Sequence, residues 1–249
     1  MSEKIVSDYN NYDYKKIFWE DADREYEDLA DRMAIRKLLP EKMGKFADIG
    51  GGYGRLAKEY IDRAETSIIF DYSQTELADA KKTFGDKIET RAGDIYELPF
   101  KDNELDALMM IRVTHHLKKL DKALSELYRV LKPGGIAVIE VANKRTLPKI
   151  CRFVFGKSKV NPFDKSVANY PEISPDGFFN YHPKYVEEIF LLTGFQTEKV
   201  LSVSNFRSKT LKKIFKTQNL VKMENSAQQL LAPVRFAPSI YYKLRKPEK

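Results

Sequence analysis

The residues with the most chemical content sit where short apolar runs end. Phe46-Ala47-Asp48-Ile49 leads into Gly50-Gly51-Gly52-Tyr53-Gly54-Arg55, four glycines in five positions behind a run with a single acid. A strand, a glycine turn and helix-forming sequence from Leu56 to Ile61 make the kind of turn that holds a nucleoside-bearing cofactor in open α/β sheets. Missing side chains let the backbone approach the ligand. Spacing narrows the choice. A dinucleotide turn takes G-x-G-x-x-G, whereas here Arg55 stands where the third glycine belongs and Gly54 comes one residue early. Asp71, 21 residues beyond Gly50, ends a second apolar run. An acid there can accept from both hydroxyls of a ribose, and Tyr72 beside it can pack on ribose or adenine. Gly93-Asp94-Ile95 ends a third run. Its carboxylate suits either an Asx turn or the exocyclic amine of adenine, with Ile95 as an apolar wall, and its place after the glycine turn and Asp71 favours adenine. A fourth run leaves through Ile111-Arg112 to His115-His116. A histidine there is either a general base or a structural imidazole bonded to nearby backbone.

Elements that would position these groups alternate along the chain. Tyr26, Leu29, Ala30, Met33, Ile35 and Leu38 recur at near-helical spacing from Ala22 to Leu39, and Pro40 and Gly44 stop that helix. Strands are expected at about 45–49, 67–71, 88–92, 107–111 and 136–141, with helices at 55–62, 75–84 and 121–131 between them. Lys132-Pro133-Gly134-Gly135 reads as a stop and turn. Such β-α-β alternation implies a doubly wound, mostly parallel sheet. Pro and Gly then punctuate residues 144–182, which read as a cap inserted over the C-terminal edge of the sheet. A helix at 183–193, a strand at 195–203, helix at 209–231 and a last strand at 240–244 complete the chain.

Composition sets the bounds. A chain of 249 residues can be one elaborated α/β domain. No run of 18 apolar residues is present, so no membrane-spanning helix is expected, and Met1 to Asn10 has no apolar signal region. The one cysteine, Cys151 beside Phe153, reads as a buried thiol in a reducing cytoplasm, and three histidines leave little for a metal site. The net charge of +7 is uneven: residues 1–143 carry 23 Lys/Arg and 28 Asp/Glu, residues 144–249 carry 20 and 8. The basic C-terminal part suits an anionic substrate, a membrane surface or nucleic acid, or simply solvates helix faces.

Taken in order, Asp48-Ile49-Gly50-Gly51-Gly52-Tyr53-Gly54, Asp71-Tyr72-Ser73, Gly93-Asp94 with Leu98-Pro99-Phe100, His115-His116 and Leu127 to Gly135 resemble the class I S-adenosylmethionine (SAM)-dependent methyltransferases. The similarity is to the small-molecule type, near the ubiquinone/menaquinone-biosynthesis-like branch, and covers about residues 40–143, more weakly 181–195. It implies a Rossmann-like sheet of order 3-2-1-4-5-7-6 with an antiparallel last strand. It implies that Gly50, Gly52 and Gly54 bring backbone close to the SAM amino acid and ribose, and that Asp48 orders the loop. Asp71 would hold the ribose, Asp94 the adenine, and Ile111 and Arg112 would lie at the reactive side. Gly51 stands where the family often has Cys, a change expected to be tolerated.

On the acceptor side the readings stay open. Arg112 can contact the cofactor carboxylate or the acceptor. His115, His116, His182 and Tyr170 are the candidate bases. Residues 1–39 are read as an N-terminal helical lid, with Tyr9 to Trp19 as the part that covers the cofactor, and 40–249 as the methyltransferase domain. Leu147 to Lys157 mixes apolar bulk with cations, as a hydrophobic or anionic acceptor, a membrane surface, or a packed amphipathic cap helix would require. The leading expectation is methyl transfer to a small acceptor. An RNA methyltransferase and a non-catalytic SAM-binding protein are the alternatives, with nucleic acid disfavoured because no RNA-binding module or amino-methylation motif is present. No obligate protein partner is expected.

Overall fold

The computed structural model describes residues 24–170 and 177–248. Residues 9–19, read as the covering part of a lid, lie outside these. The chain runs α1 (Glu25–Leu38), β1 (Met43–Ile49), β2 (Ala64–Asp71), α2 (Gln74–Phe84), β3 (Glu89–Ala92), β4 (Leu105–Met110), α3 (Leu120–Val130) and β5 (Leu131–Ala142). Then come α4 (Leu147–Val154), β6 (Ala168–Asn169), β7 (Phe179–Asn180), α5 (Pro183–Thr193), β8 (Gln196–Val203), α6 (Lys209–Ile214), α7 (Thr217–Leu230) and β9 (Ser239–Arg245).

Seven strands form one sheet in the order β3-β2-β1-β4-β5-β9-β8. With the two-residue pair β6-β7 set aside, this is the expected 3-2-1-4-5-7-6. β1 to β5 pair in parallel, and β9 runs antiparallel between β5 and β8. Successive residues of each strand point to opposite faces. Thus Ala47, Ile68, Leu108, Ala137 and Tyr242 join one core with α3 and α5, while Phe46, Ile69, Met109, Val138 and Tyr241 join a second with α1 and α2.

Several elements differ from the sequence reading. Helix is absent after the glycine turn; residues 51–63 form turns around a single 3₁₀ turn, Ala57–Glu59. β2 begins at Ala64, paired with Met43, so the chain must return to the start of the sheet within a few residues. It does so through mixed bonds, Tyr60 N–H to Ala57 O and Ala64 N–H to Tyr60 O, both 3.1 Å. Lys132 to Gly135 is the irregular start of β5 rather than a free turn, with Gly134 N–H donating to Lys246 O (2.8 Å). Phe215 and Lys216 break the expected 209–231 helix into α6 and α7.

α1 is built into the body of the molecule. Ala30, Ala34, Ile35 and Leu38 share the second core with β1 and β4, and Tyr26 Oη donates to Glu224 on α7 (2.6 Å). A boundary at residue 39 therefore does not separate α1 from the sheet. In the 144–182 region no residue of α4 is fully buried, and Cys151 is exposed. The buried-thiol expectation fails there, and α4 is only partly packed, with Ile150 and Phe153 half-buried while Leu147 and Val154 are exposed.

Candidate functional site

A pocket opens at the C-terminal ends of β1, β2 and β4, where the strand order reverses and ligands bind in such sheets. The glycine turn forms one wall. Gly50 and Gly51 N–H both donate to Phe70 O (2.7 and 3.1 Å), tying β1 to the end of β2. Gly50, Gly52 and Gly54 have φ of +75°, +52° and +79°, which favours glycine. The three are not equivalent. Gly50 and Gly52 line the pocket, whereas Gly54 does not: a Cβ there would lie 2.7 Å from the Phe84 ring, so its role is close packing against α2. Gly51 also lines the pocket, and an added Cβ would stand 2.7 Å from Asp48 Cγ. Any side chain at 51 therefore displaces Asp48, which corrects the expected tolerance.

Carboxylates brace the turn. Asp71 Oδ2 accepts from Gly52 N–H and Oδ1 from Ser73 N–H, both 2.9 Å. Burial pushes its pKa up, against the pull of these backbone donors. Glu76 Oε2 accepts from Tyr53 N–H (3.1 Å) and also lines the pocket. The sequence reading missed Glu76, although Ser73-Gln74-Thr75-Glu76 carries the pattern of a helix start and Ser73 does cap α2. Asp48, 3% exposed, accepts from Tyr60 Oη (3.1 Å), and burial pushes its carboxyl up to about 7.

Opposite the turn stand Ile95, Ile111, Arg112, Val113, His116 and Leu117, with Tyr72 at the rim. Asp94 is not among the lining residues. It is exposed, and its Oδ1 accepts from Tyr96 N–H (2.9 Å) in an Asx turn.

Arg112 takes φ of +63° at the exit of β4, and its guanidinium reaches Asp31 on α1 at 2.9 Å. Asp31 is fully buried and also receives Arg55 Nη2 (3.0 Å) and Tyr241 Oη (2.7 Å). One carboxylate thus gathers two pocket-lining arginines, and together they hold its pKa below the ordinary value despite burial. Arg112 N–H donates to Glu140 Oε2 (3.1 Å), which supports the left-handed turn from β5. No sequence signal marked Asp31, because its partners lie 24, 81 and 210 residues away.

His115 and His116 face different ways. His116 lines the pocket, while His115 is buried behind it, its ring 4.0 Å from His116 and 4.5 Å from Phe178. Burial drives His116 down to about 4 and His115 well below its ordinary value, so both are neutral at pH 7. His182 Nδ1 accepts from Lys184 N–H (3.2 Å) and caps α5, and Tyr170 lies under Lys149 at the cap. Among the described residues no group of three His, Cys, Asp or Glu is placed to hold a metal.

Residues 47–139 match the family model described as a methyltransferase domain. Two relatives extend the match. A probable S-adenosylmethionine-dependent methyltransferase of Mycolicibacterium smegmatis is 29% identical over 72% of this chain and 59% of its own length. A ubiquinone/menaquinone biosynthesis C-methyltransferase of Dinoroseobacter shibae is 31% identical over 53% of this chain and 56% of its own. The chain thus spans just over half the length of these relatives. Among solved structures, a SAM-dependent methyltransferase of Thermotoga maritima superposes with a TM-score of 0.63 at 17% identity, covering 96% of this chain and 97% of that one.

The fold is therefore the Rossmann-like fold of SAM-dependent methyltransferases, and residues 47–139 carry the matching domain. The pocket fits that cofactor. Asp71 offers acceptors for a diol, and Gly50 and Gly52 form a wall of bare backbone, with no room for a side chain at Gly50. Arg55 and Arg112 supply positive charge for a carboxylate, and Asp48 supplies an acceptor for an ammonium group.

Proposed function

We propose that this chain transfers a methyl group from SAM to a small acceptor that is hydrophobic or anionic, in the manner of the ubiquinone/menaquinone-biosynthesis-like branch. The observation that carries the reading is the cradle itself: left-handed glycines bonded to Asp71, facing two arginines that share one buried carboxylate. When bound, SAM supplies an activated methyl on a sulfonium. Asp71 and the glycine backbone hold the nucleoside. Arg55 and Arg112 orient the amino-acid end. Ile95, Ile111, Val113 and Leu117 exclude water from the reacting face. We take His116, neutral at pH 7 and on the pocket wall, as the candidate to accept a proton from an acceptor that must lose one, with His115 packed against it. The lone cysteine supports a reducing, cytoplasmic setting, and the basic C-terminal part supports peripheral contact with a membrane. No helix among the described residues is long and apolar enough to cross one.

Calorimetry with S-adenosylhomocysteine tests the reading. Micromolar-range binding is expected, weakened about 100-fold in Asp71→Ala, which removes the acceptor for a diol and a brace of the turn. Absence of binding by the unaltered chain would overturn it. Release of S-adenosylhomocysteine from SAM in a metabolite extract then separates an enzyme from a binding protein.

A further inference from the structure

Among the described residues, the cap carries several exposed apolar side chains. In and after α4, Leu147, Val154 and Phe155 are 55, 66 and 74% exposed, and Phe163 is 51% exposed. At the end of α6, Ile214 and Phe215 are 67 and 40% exposed. Aromatic and branched residues grouped in this way on a protein surface mark a contact rather than ordinary scatter.

Charge around these residues is mostly positive, although Lys212 pairs with Glu27 and Lys165 with Glu188. Residues 144–170 hold seven Lys/Arg and a single acid, Asp164, and residues 205–216 hold five and none. Asp164 is already engaged by Lys144 and by the Ser166 hydroxyl. Lys149, in the first turn of α4, leads toward the pocket edge. The Lys149 ammonium sits 5.0 Å from the Tyr170 ring, Tyr170 N–H donates to Phe178 O (2.9 Å), and Phe178 packs edge-on to His116 at 6.0 Å.

We propose that the outer face of α4 and the end of α6 form a docking surface for an anionic lipid bilayer. Apolar side chains flanked by lysines, with no acids in either helix, match the chemistry of an interfacial segment: the apolar groups enter the acyl boundary and the cations meet lipid phosphates. A nucleic acid would use the cations but leave Leu147, Val154, Phe155 and Ile214 in water, and a second copy of this cationic face would repel the first. On the reading of a hydrophobic acceptor given above, docking brings the acceptor wall to the phase where such a molecule concentrates. The surface itself does not depend on methyl transfer.

The test is co-sedimentation of the full chain with phosphatidylcholine vesicles, with and without phosphatidylglycerol, read beside S-adenosylhomocysteine calorimetry. Sedimentation is expected with the anionic vesicles only. Val154→Asp with Phe155→Asp should lower the partition coefficient at least about tenfold, and Ile214→Asp on the other helix should lower it independently. S-adenosylhomocysteine binding should stay unchanged in each variant, since none of these residues lines the pocket. No sedimentation with anionic vesicles would overturn the proposal, as would sedimentation that all these variants retain. A dimer that these variants dissociate, or RNA retention that they abolish without any vesicle binding, would reassign the face and also overturn it. Loss of cofactor binding by the unaltered chain, with vesicle binding intact, would strike the methyl-transfer reading alone.

Discussion

The turn after β1 and the cap after β5 lie at the same edge of the sheet and are held in opposite ways. From Gly50 to Gly54 every backbone N–H has a partner: Phe70 O, Asp71, Glu76 or Gly51 O. An added Cβ would press on Val113, Asp48 or Phe84. In the cap, no residue of α4 is fully buried, and a Cβ on Gly156 would meet open space. A cofactor shared by a whole fold is met by backbone, which tolerates little change. The cap is a segment the sheet constrains far less.

Matched substitutions test this contrast. The largest effect is expected for Gly52→Val, where φ of +52° and Glu76 Oε2 at 3.2 Å oppose a branched side chain. S-adenosylhomocysteine binding should fall more than about 100-fold by calorimetry. Gly156→Ala, at φ of +67° in the cap, should leave that binding intact and cost only about 1 kcal/mol of stability. If both variants bind alike, the contrast is broken.

Next in size, Asp31→Ala leaves Arg55 and Arg112 without their buried counter-charge. Urea unfolding should show a loss of about 3–5 kcal/mol. Lys165→Ala, which breaks a half-exposed pair with Glu188 at the cap, should change stability by less than about 0.5 kcal/mol.

Two buried groups on the pocket wall should respond to pH with opposite sign. The unfolded chain protonates His116 from about pH 6.5, while the folded chain resists until about 4. Stability relative to His116→Gln should therefore fall as pH drops through that window, by about 3 kcal/mol in all. Asp48, held up at about 7, takes its proton in the folded state first. Stability relative to Asp48→Asn should rise as pH falls from 7 toward the ordinary carboxylate range. Urea midpoints measured across pH for the three proteins check both signs, and a common sign would show that burial does not govern this wall.

The cofactor side was largely legible from sequence because its constraints are local. Gly50, Gly52, Asp71, Ile95 and Ile111 are recognisable at strand ends, and all face the pocket. At Asp94, where two local roles competed, the Asx turn is formed through Oδ1. Residues 55–62 looked helical, but their length was limited by the pairing of Ala64 with Met43, a long-range condition. Cys151 and Phe153 looked alike as core residues, yet Cys151 is exposed and Phe153 only half-buried, since an apolar period gives a helix a face without saying what that face meets.

By itself the sequence determined the glycine turn, the acid at the end of β2 and a doubly wound, mostly parallel sheet, since steric freedom of glycine and strand–helix alternation act over a few residues; the order of the strands came with the family resemblance. Only the tertiary structure decided that Asp31 joins Arg55, Arg112 and Tyr241, that Gly54 packs rather than binds, and that Leu147, Cys151 and Val154 of α4 stay exposed. Those outcomes depend on which distant segments the sheet brings together, and in a low-dielectric interior that proximity sets both charge pairing and pKa.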